Sequence, residues 1–169
     1  MVARMSWAKG VEQFCQSSDR LRNNYPHVKF LLVGQEDTGS PDSVPTSYLK
    51  AYGEHENFSW LGYRIDIKEL YSIAYLAVFP SYYREGGWPR GLTEPMAMGK
   101  PVITTDNEHC SDAVDDGVSG LLVPAKDSIS LAKAMEKTSS EKFLPLKVET
   151  INATLPPVLA ASIFAFAVA

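Results

Sequence analysis

The sequence predicts a doubly wound, Rossmann-like α/β fold with a parallel sheet, and three observations carry that prediction. Short apolar runs recur at residues 27–33 (HVKFLLV), 58–61 (FSWL), 76–79 (LAVF), 102–104 (VIT) and 120–123 (GLLV), most of them bounded by Gly or Pro. Stretches with helical spacing or helix-start signals fall between them, so strands and helices alternate. One stretch, residues 80–106 (PSYYREGGWPRGLTEPMAMGKPVITTD), follows a strand with a glycine-rich loop, a short helical pattern and a second strand. This is a βαβ unit whose loop lies at the carboxyl end of a strand and beside a helix N-terminus, where such sheets bind ligands. Glu85 and Glu94 flank the loop.

The elements follow in order. Residues 1–3 are the stub of an apolar strand. Residues 9–24 carry Val11, Phe14, Cys15 and Leu21 near helical spacing and stop at Tyr25-Pro26. The strand at 27–33 ends at Gly34, a polar loop follows to residue 44, and Pro45 opens a helix to Tyr52 as a first-turn proline. After the strand at 58–61 and Gly62, Asp66 is the expected N-cap of a helix to Ile73, with Glu69 completing a capping box. The helix of the central unit spans residues 91–98. A short helix is expected at 112–116, closed by the turn Asp116-Gly117. Ser128 is the expected cap of the last helix, to Lys137.

Composition bounds the function. The 169 residues suit one domain with a proper core, and 45% hydrophobic with 21% charged residues is ordinary for a soluble globular protein. A net charge of −4 without basic clustering argues against a nucleic-acid partner. Cys15 and Cys110 are too few for a disulfide framework, which favours reduced thiols in a cytoplasmic protein. No group of His, Cys and Asp has metal-ligand spacing, so no metal is expected. Asp115-Asp116 precedes a turn and reads as a solvated pair, and His109 reads as a loop residue rather than a base. The ends are unusual: the first strand is truncated, and residues 155–169 (LPPVLAASIFAFAVA) are almost wholly apolar. The expected organisation is a ligand-binding domain at 1–143 and an apolar tail of unknown role at 144–169.

Several motifs, taken in order, carry a resemblance. They are Arg4-x4-Lys9-Gly10, Phe30-Leu31-Leu32-Val33-Gly34, Trp60-Leu61-Gly62, and Tyr83-Arg84-Glu85-Gly86 through Pro89-Arg90 and Glu94 to Asp106. Asp116-Gly117-x2-Gly120 and Leu131-Ala132-x-Ala134-Met135 complete the set. This pattern resembles the C-terminal, donor-binding half of retaining GT-B glycosyltransferases of family 4, most of all bacterial enzymes of polysaccharide or lipid-linked oligosaccharide synthesis. The resemblance implies transfer of a hexosyl group from a nucleotide-sugar, with a UDP-sugar the expected donor, to a saccharide or lipid-linked acceptor. It implies an N-terminal GT-B half in the same or another chain. It also implies no cofactor, and a place in the cytoplasm or at the inner face of the plasma membrane.

Site residues follow from the same pattern. Arg4 and Lys9 are expected on the diphosphate, whose negative charge grows as the glycosyl bond breaks; alone, their spacing would equally suit two solvated cations. Glu94, as the second Glu of an E-x7-E motif, is expected to accept hydrogen bonds from the ribose hydroxyls, against the plainer role of favouring the helix dipole. Glu85 is expected near the donor sugar with Gly86 letting the backbone approach. The amides of Gly91, Leu92 and Thr93 are expected to face the phosphates, and Tyr63 with Arg64 the nucleobase. Tyr82-Tyr83 suits the sugar pocket or helix packing equally. The sequence departs from the pattern in having eight residues between the glutamates rather than seven. The extra residue either bulges in the glycine loop or moves Glu85 off the sugar. Two rival readings stand beside this one. A noncatalytic nucleotide- or partner-binding module fits the truncated ends, whereas a nicotinamide-dependent oxidoreductase lacks its G-x-G-x-x-G.

Overall fold

The computed structural model describes residues 1–140, so the tail lies outside the described residues. Among the described residues five short strands are all paired in parallel. β1 (Phe30–Leu32) and β2 (Phe58–Trp60) form one sheet, with Phe30 opposite Phe58. β3 (Ala77–Phe79), β4 (Val102–Thr105) and β5 (Gly120–Val123) form a second in that order, with Val78 opposite Ile103 and Ile103 opposite Leu121. Helix α1 (Val11–Leu21) precedes β1, α2 (Thr46–Gly53), α3 (Ile67–Ile73) and α4 (Arg90–Ala97) connect successive strands from β1 to β4, and α5 (Ser128–Ser140) follows β5. The α/β class with parallel strands is therefore as predicted.

Every residue of β4 is buried, as expected of a strand covered on both faces. One core cluster gathers Phe14, Leu32, Leu49, Phe58, Ile103 and Leu131. A second, around Phe79, Leu92, Met96, Val102 and Cys110, seats α4 against β3 and β4. That packing fixes the helix N-terminus at the carboxyl end of β3.

Several local expectations are corrected. The predicted helix from Lys9 is split into a 3-10 turn at Trp7–Lys9 and α1, with Gly10 between them at φ 78°. An added Cβ there would lie 2.1 Å from the Pro80 carbonyl oxygen, so the backbone crosses the end of β3 where only glycine fits. Pro45 stands at the N-cap position rather than in the first turn of α2. The Asp66 capping box does not form. Its carboxylate is taken by Arg64, whose Nε donates to Oδ1 at 2.7 Å, and no side-chain cap bond is made. At α5 the cap is Asp127, whose Oδ1 accepts the amides of Ile129 (2.9 Å) and Ser130 (3.0 Å). A carboxylate one residue earlier reaches both free amides at once, which the Ser128 hydroxyl does not. The expected helix at 112–116 is a 3-10 turn at Ser111–Ala113.

The first-strand stub runs beside β1. Val2 forms a parallel bridge with Val33, the Ala3 amide donates to the Val33 carbonyl and the Val33 amide to the Met1 carbonyl, both at 2.9 Å. Below Met1 and Val2, between β1 and β3, an apolar cavity of ≈ 590 Å³ opens.

Candidate functional site

Lys9 and Glu85, 76 residues apart, meet at the carboxyl end of β3. Lys9 Nζ donates to Glu85 Oε1 at 2.6 Å and to Oε2 at 2.8 Å, and each side chain is only 11% exposed. A pair this buried holds its geometry because breaking it would strand a desolvated charge. The backbone explains the meeting. The Ala8 carbonyl, next to Lys9, accepts the amides of Tyr82 (2.9 Å) and Tyr83 (3.0 Å), so the loop after β3 is tied to the turn carrying the lysine. The Ser81 hydroxyl lies 2.8 Å from Glu85 Oε1, and the Tyr83 ring centroid lies 4.6 Å from the ammonium. Asn107 Nδ2 holds the Tyr83 carbonyl at 2.6 Å.

Ser81 and Asp42 are the contributors that sequence reasoning missed. Asp42 fixes the Lys9 turn from the other side. Its Oδ2 accepts the Ala8 amide at 3.0 Å and its carbonyl the Trp7 amide at 2.9 Å. Ser81 directly after the strand-ending Pro80 was a readable position but had no pattern of its own. Asp42 lies in a polar loop that gave no signal.

The remaining predicted residues form a looser rim. Arg4 is exposed, with Nη1 3.4 Å from Asp37 Oδ1, and does not share Lys9's carboxylate. Glu94 lies on α4 and takes Arg90 at i−4, Nε at 2.8 Å and Nη2 at 2.7 Å. Its side chain is 23% exposed and that of Arg90 81%. Tyr63 projects into solvent at 69% exposure. Arg64 is paired with Asp66, whose hydrogen bond raises the guanidinium pKa and in turn lowers that of the carboxyl. Tyr82 stacks under Lys126, 4.6 Å from ammonium to centroid.

Gly86 and Gly87 face open space, and Gly87 has φ 155°. Beside this loop Glu85 is held by Lys9 at 2.6 Å and by the Ser81 hydroxyl at 2.8 Å. Gly91 lies where α4 meets the sheet, and a Cβ would fall 2.6 Å from the Phe79 ring and 3.1 Å from the Val2 carbonyl oxygen. The expected trio of free amides is altered. Leu92 and Thr93 amides both close on the Pro89 carbonyl, at 2.9 and 3.1 Å, and the Leu92 side chain is in the core. The amides of Arg90 and Gly91 remain as the donors at this helix start. Among the described residues no group of three or more His, Cys, Asp or Glu side chains could hold a metal ion.

The fold is a Rossmann-like α/β domain, with the Lys9–Glu85 pair at the carboxyl end of β3, where sheets of this class bind ligands. The model of the family described as glycosyl transferases group 1 matches residues 1–141, and the chain belongs to that family. It is 30% identical over 148 residues to the N,N'-diacetylbacillosaminyl-diphospho-undecaprenol alpha-1,3-N-acetylgalactosaminyltransferase of Campylobacter jejuni, covering 88% of this chain and 37% of that protein. It is 27% identical to the capsular polysaccharide biosynthesis glycosyltransferase CapM of Staphylococcus aureus, covering 85% of this chain and 37% of CapM. The crystal structure of Anabaena HepE in complex with UDP and glucose superposes with a TM-score of 0.78 at 23% identity, over 99% of this chain and 46% of that one. The C-terminal domain of a group 1 glycosyl transferase family protein from Francisella tularensis superposes at 0.71 and 21% identity, over 86% of this chain and 76% of that domain. The fold is therefore that of one GT-B half, the C-terminal one, and the chain spans less than half the length of the curated relatives it matches.

Proposed function

We propose that this chain is the donor-binding half of a retaining glycosyltransferase that takes a hexosyl group from a UDP-sugar, without a metal, and passes it to a saccharide or lipid-linked acceptor. The observation that carries the reading is the buried Lys9–Glu85 pair beside the open start of α4. Lys9 has three N–H donors and directs two at Glu85. The third is available to a diphosphate oxygen, and the Arg90 and Gly91 amides supply further donors at the positive end of the helix.

When the bond between the anomeric carbon and the diphosphate oxygen breaks, the electron pair stays on that oxygen. A fixed ammonium and helix start stabilise it most as the charge develops. Glu94 reaches the ribose hydroxyls by exchanging its exposed pairing with Arg90, a surface ion pair whose loss costs about 0–1 kcal/mol. Glu85, held by Lys9 and Ser81, faces the donor sugar. Arg4 joins the diphosphate by leaving Asp37, and Tyr63 with Arg64 offers a stacking surface for the base.

The relatives' names, glycosyltransferases of polysaccharide and undecaprenol-linked assembly, support the acceptor class, and HepE's complex with UDP and glucose supports the donor. Holding the acceptor hydroxyl against the anomeric carbon supplies roughly 7–11 kcal/mol in well-oriented systems. That wall belongs to an N-terminal GT-B half, in this or another chain. A UDP-release assay tests the reading. The 169-residue chain alone should give no acceptor-dependent release, and supplying an N-terminal half should produce it. Robust acceptor-dependent release from the chain alone would refute the division of labour.

A further inference from the structure

One buried hydroxyl is left without a partner. Tyr71, on α3, is buried, and its ring lies in the core cluster that seats α4 against β3 and β4. Its oxygen is sealed from solvent and has no hydrogen-bond partner among the described residues. Buried polar groups are almost always paired, because burial takes away the water that would otherwise bond them. Tyr71 also borders the apolar cavity, but its oxygen is closed off from any space wide enough for water. What fills that cavity therefore does not decide whether the hydroxyl is paired.

The charges that act on this hydroxyl are on α4. Burial raises the Tyr71 pKa most, the Glu94 carboxylate raises it further, and the Arg90 guanidinium lowers it. Glu94 is itself half used. Arg90 brings Nε to 2.8 Å and Nη2 to 2.7 Å, both on Oε1, and Oε2 has no partner among the described residues. A donor without an acceptor and an acceptor without a donor thus stand on two helices packed in one cluster. The two helices are also pinned to each other. Lys100 Nζ, just past the end of α4, donates to the Ser72 carbonyl on α3 at 2.7 Å, and the Lys100 amide donates to the Pro95 carbonyl at 2.9 Å. The Tyr71 ring is fixed in the core, so the movable partner is the Glu94 side chain. Its present bond to Arg90 is a near-surface ion pair of small worth.

We propose that Tyr71 is a positioning residue for Glu94: when Arg90 gives way to a nucleotide, the Tyr71 hydroxyl donates to one oxygen of the carboxylate and leaves the other to accept from the ribose hydroxyls. A hydrogen bond from a hydroxyl to an ionised carboxylate is among the stronger ones, and it fixes a side chain otherwise held only near the surface. This role presupposes Glu94 as the ribose contact proposed above.

Tyr71→Phe in the 169-residue chain tests it, first without nucleotide. Removing a hydroxyl that has no partner should leave the urea midpoint unchanged or raised. A lowered midpoint would show that the hydroxyl is already bonded and would overturn the proposal. Calorimetric titration then compares UDP with dideoxy-UDP, which lacks both ribose hydroxyls. Tyr71→Phe should weaken UDP roughly tenfold, leave dideoxy-UDP within about twofold, and add nothing in a Glu94→Ala background. A merely structural role would weaken both nucleotides alike. Equal loss for both, no loss for UDP, or the same loss for UDP in the Glu94→Ala background would overturn the proposal while the donor site stands. If the parent chain binds neither nucleotide, the donor site itself is refuted, and this role for Tyr71 with it.

Discussion

Two parts of the candidate site are built in opposite ways. The Lys9–Glu85 pair is buried, reached from both sides by backbone hydrogen bonds, and seated where Gly10 passes under Pro80. The rim of Arg4, Arg64 and Glu94 is solvated, each residue occupied by a near-surface partner, Asp37, Asp66 and Arg90. The difference teaches which residues serve two purposes. The inner pair supports the fold as well as any chemistry, whereas the rim is free to exchange partners when a ligand arrives.

The largest expected effect comes from breaking the inner pair on one side. Glu85→Ala strands the Lys9 ammonium beside Phe79 and Tyr83 and should cost about 3–5 kcal/mol of stability in urea unfolding. The double change Lys9→Met with Glu85→Leu should recover most of that loss. If Glu85→Ala unfolds at the same denaturant concentration as the parent, the pair is not structural.

Next is Gly10→Ala. A left-handed φ for alanine and the 2.1 Å approach to the Pro80 carbonyl together predict a loss of about 1–3 kcal/mol. An unchanged melting temperature would mean that the crossing at β3 is looser than described.

Smaller, and outside the site, is the response of the thiols. Burial pushes Cys15 up to about 12 and also raises Cys110. Since a raised acid stays protonated to higher pH, the Cys15 contribution to stability is whole below the unfolded value of 9.0 and declines as pH rises towards 12. Alkylation at pH 8 should therefore be slow in the native chain and fast in urea, as mass spectrometry would show. The smallest stability effects belong to the rim, where Arg64→Ala and Glu94→Ala should each shift unfolding by less than about 1 kcal/mol.

The alternation of strands and helices was legible because buried parallel strands are apolar throughout and their ends carry Gly and Pro. The Lys9–Glu85 meeting was legible only as two residues assigned to one ligand. Their direct pairing depends on Ala8 receiving the loop after β3, a backbone contact that leaves no side-chain pattern. Helix starts were read less well, because Asp127 and Ser128 are both good caps and only the geometry decides which carboxylate or hydroxyl reaches the amides. The Leu92 and Thr93 amides were misassigned for a related reason. Pro89 is the N-cap, and its carbonyl accepts both amides in the first turn of the helix.

Calorimetric titration with UDP and a panel of UDP-sugars tests the donor site most directly. The parent chain should bind UDP weakly, and Glu94→Ala should lose about 1.5–3 kcal/mol of that affinity, the worth of hydrogen bonds to a charged group. Among variants still folded, Glu94 should matter more for ribose-dependent binding than Glu85. Absence of binding by every nucleoside diphosphate at millimolar concentration would contradict the assignment of this cleft to a nucleotide-sugar.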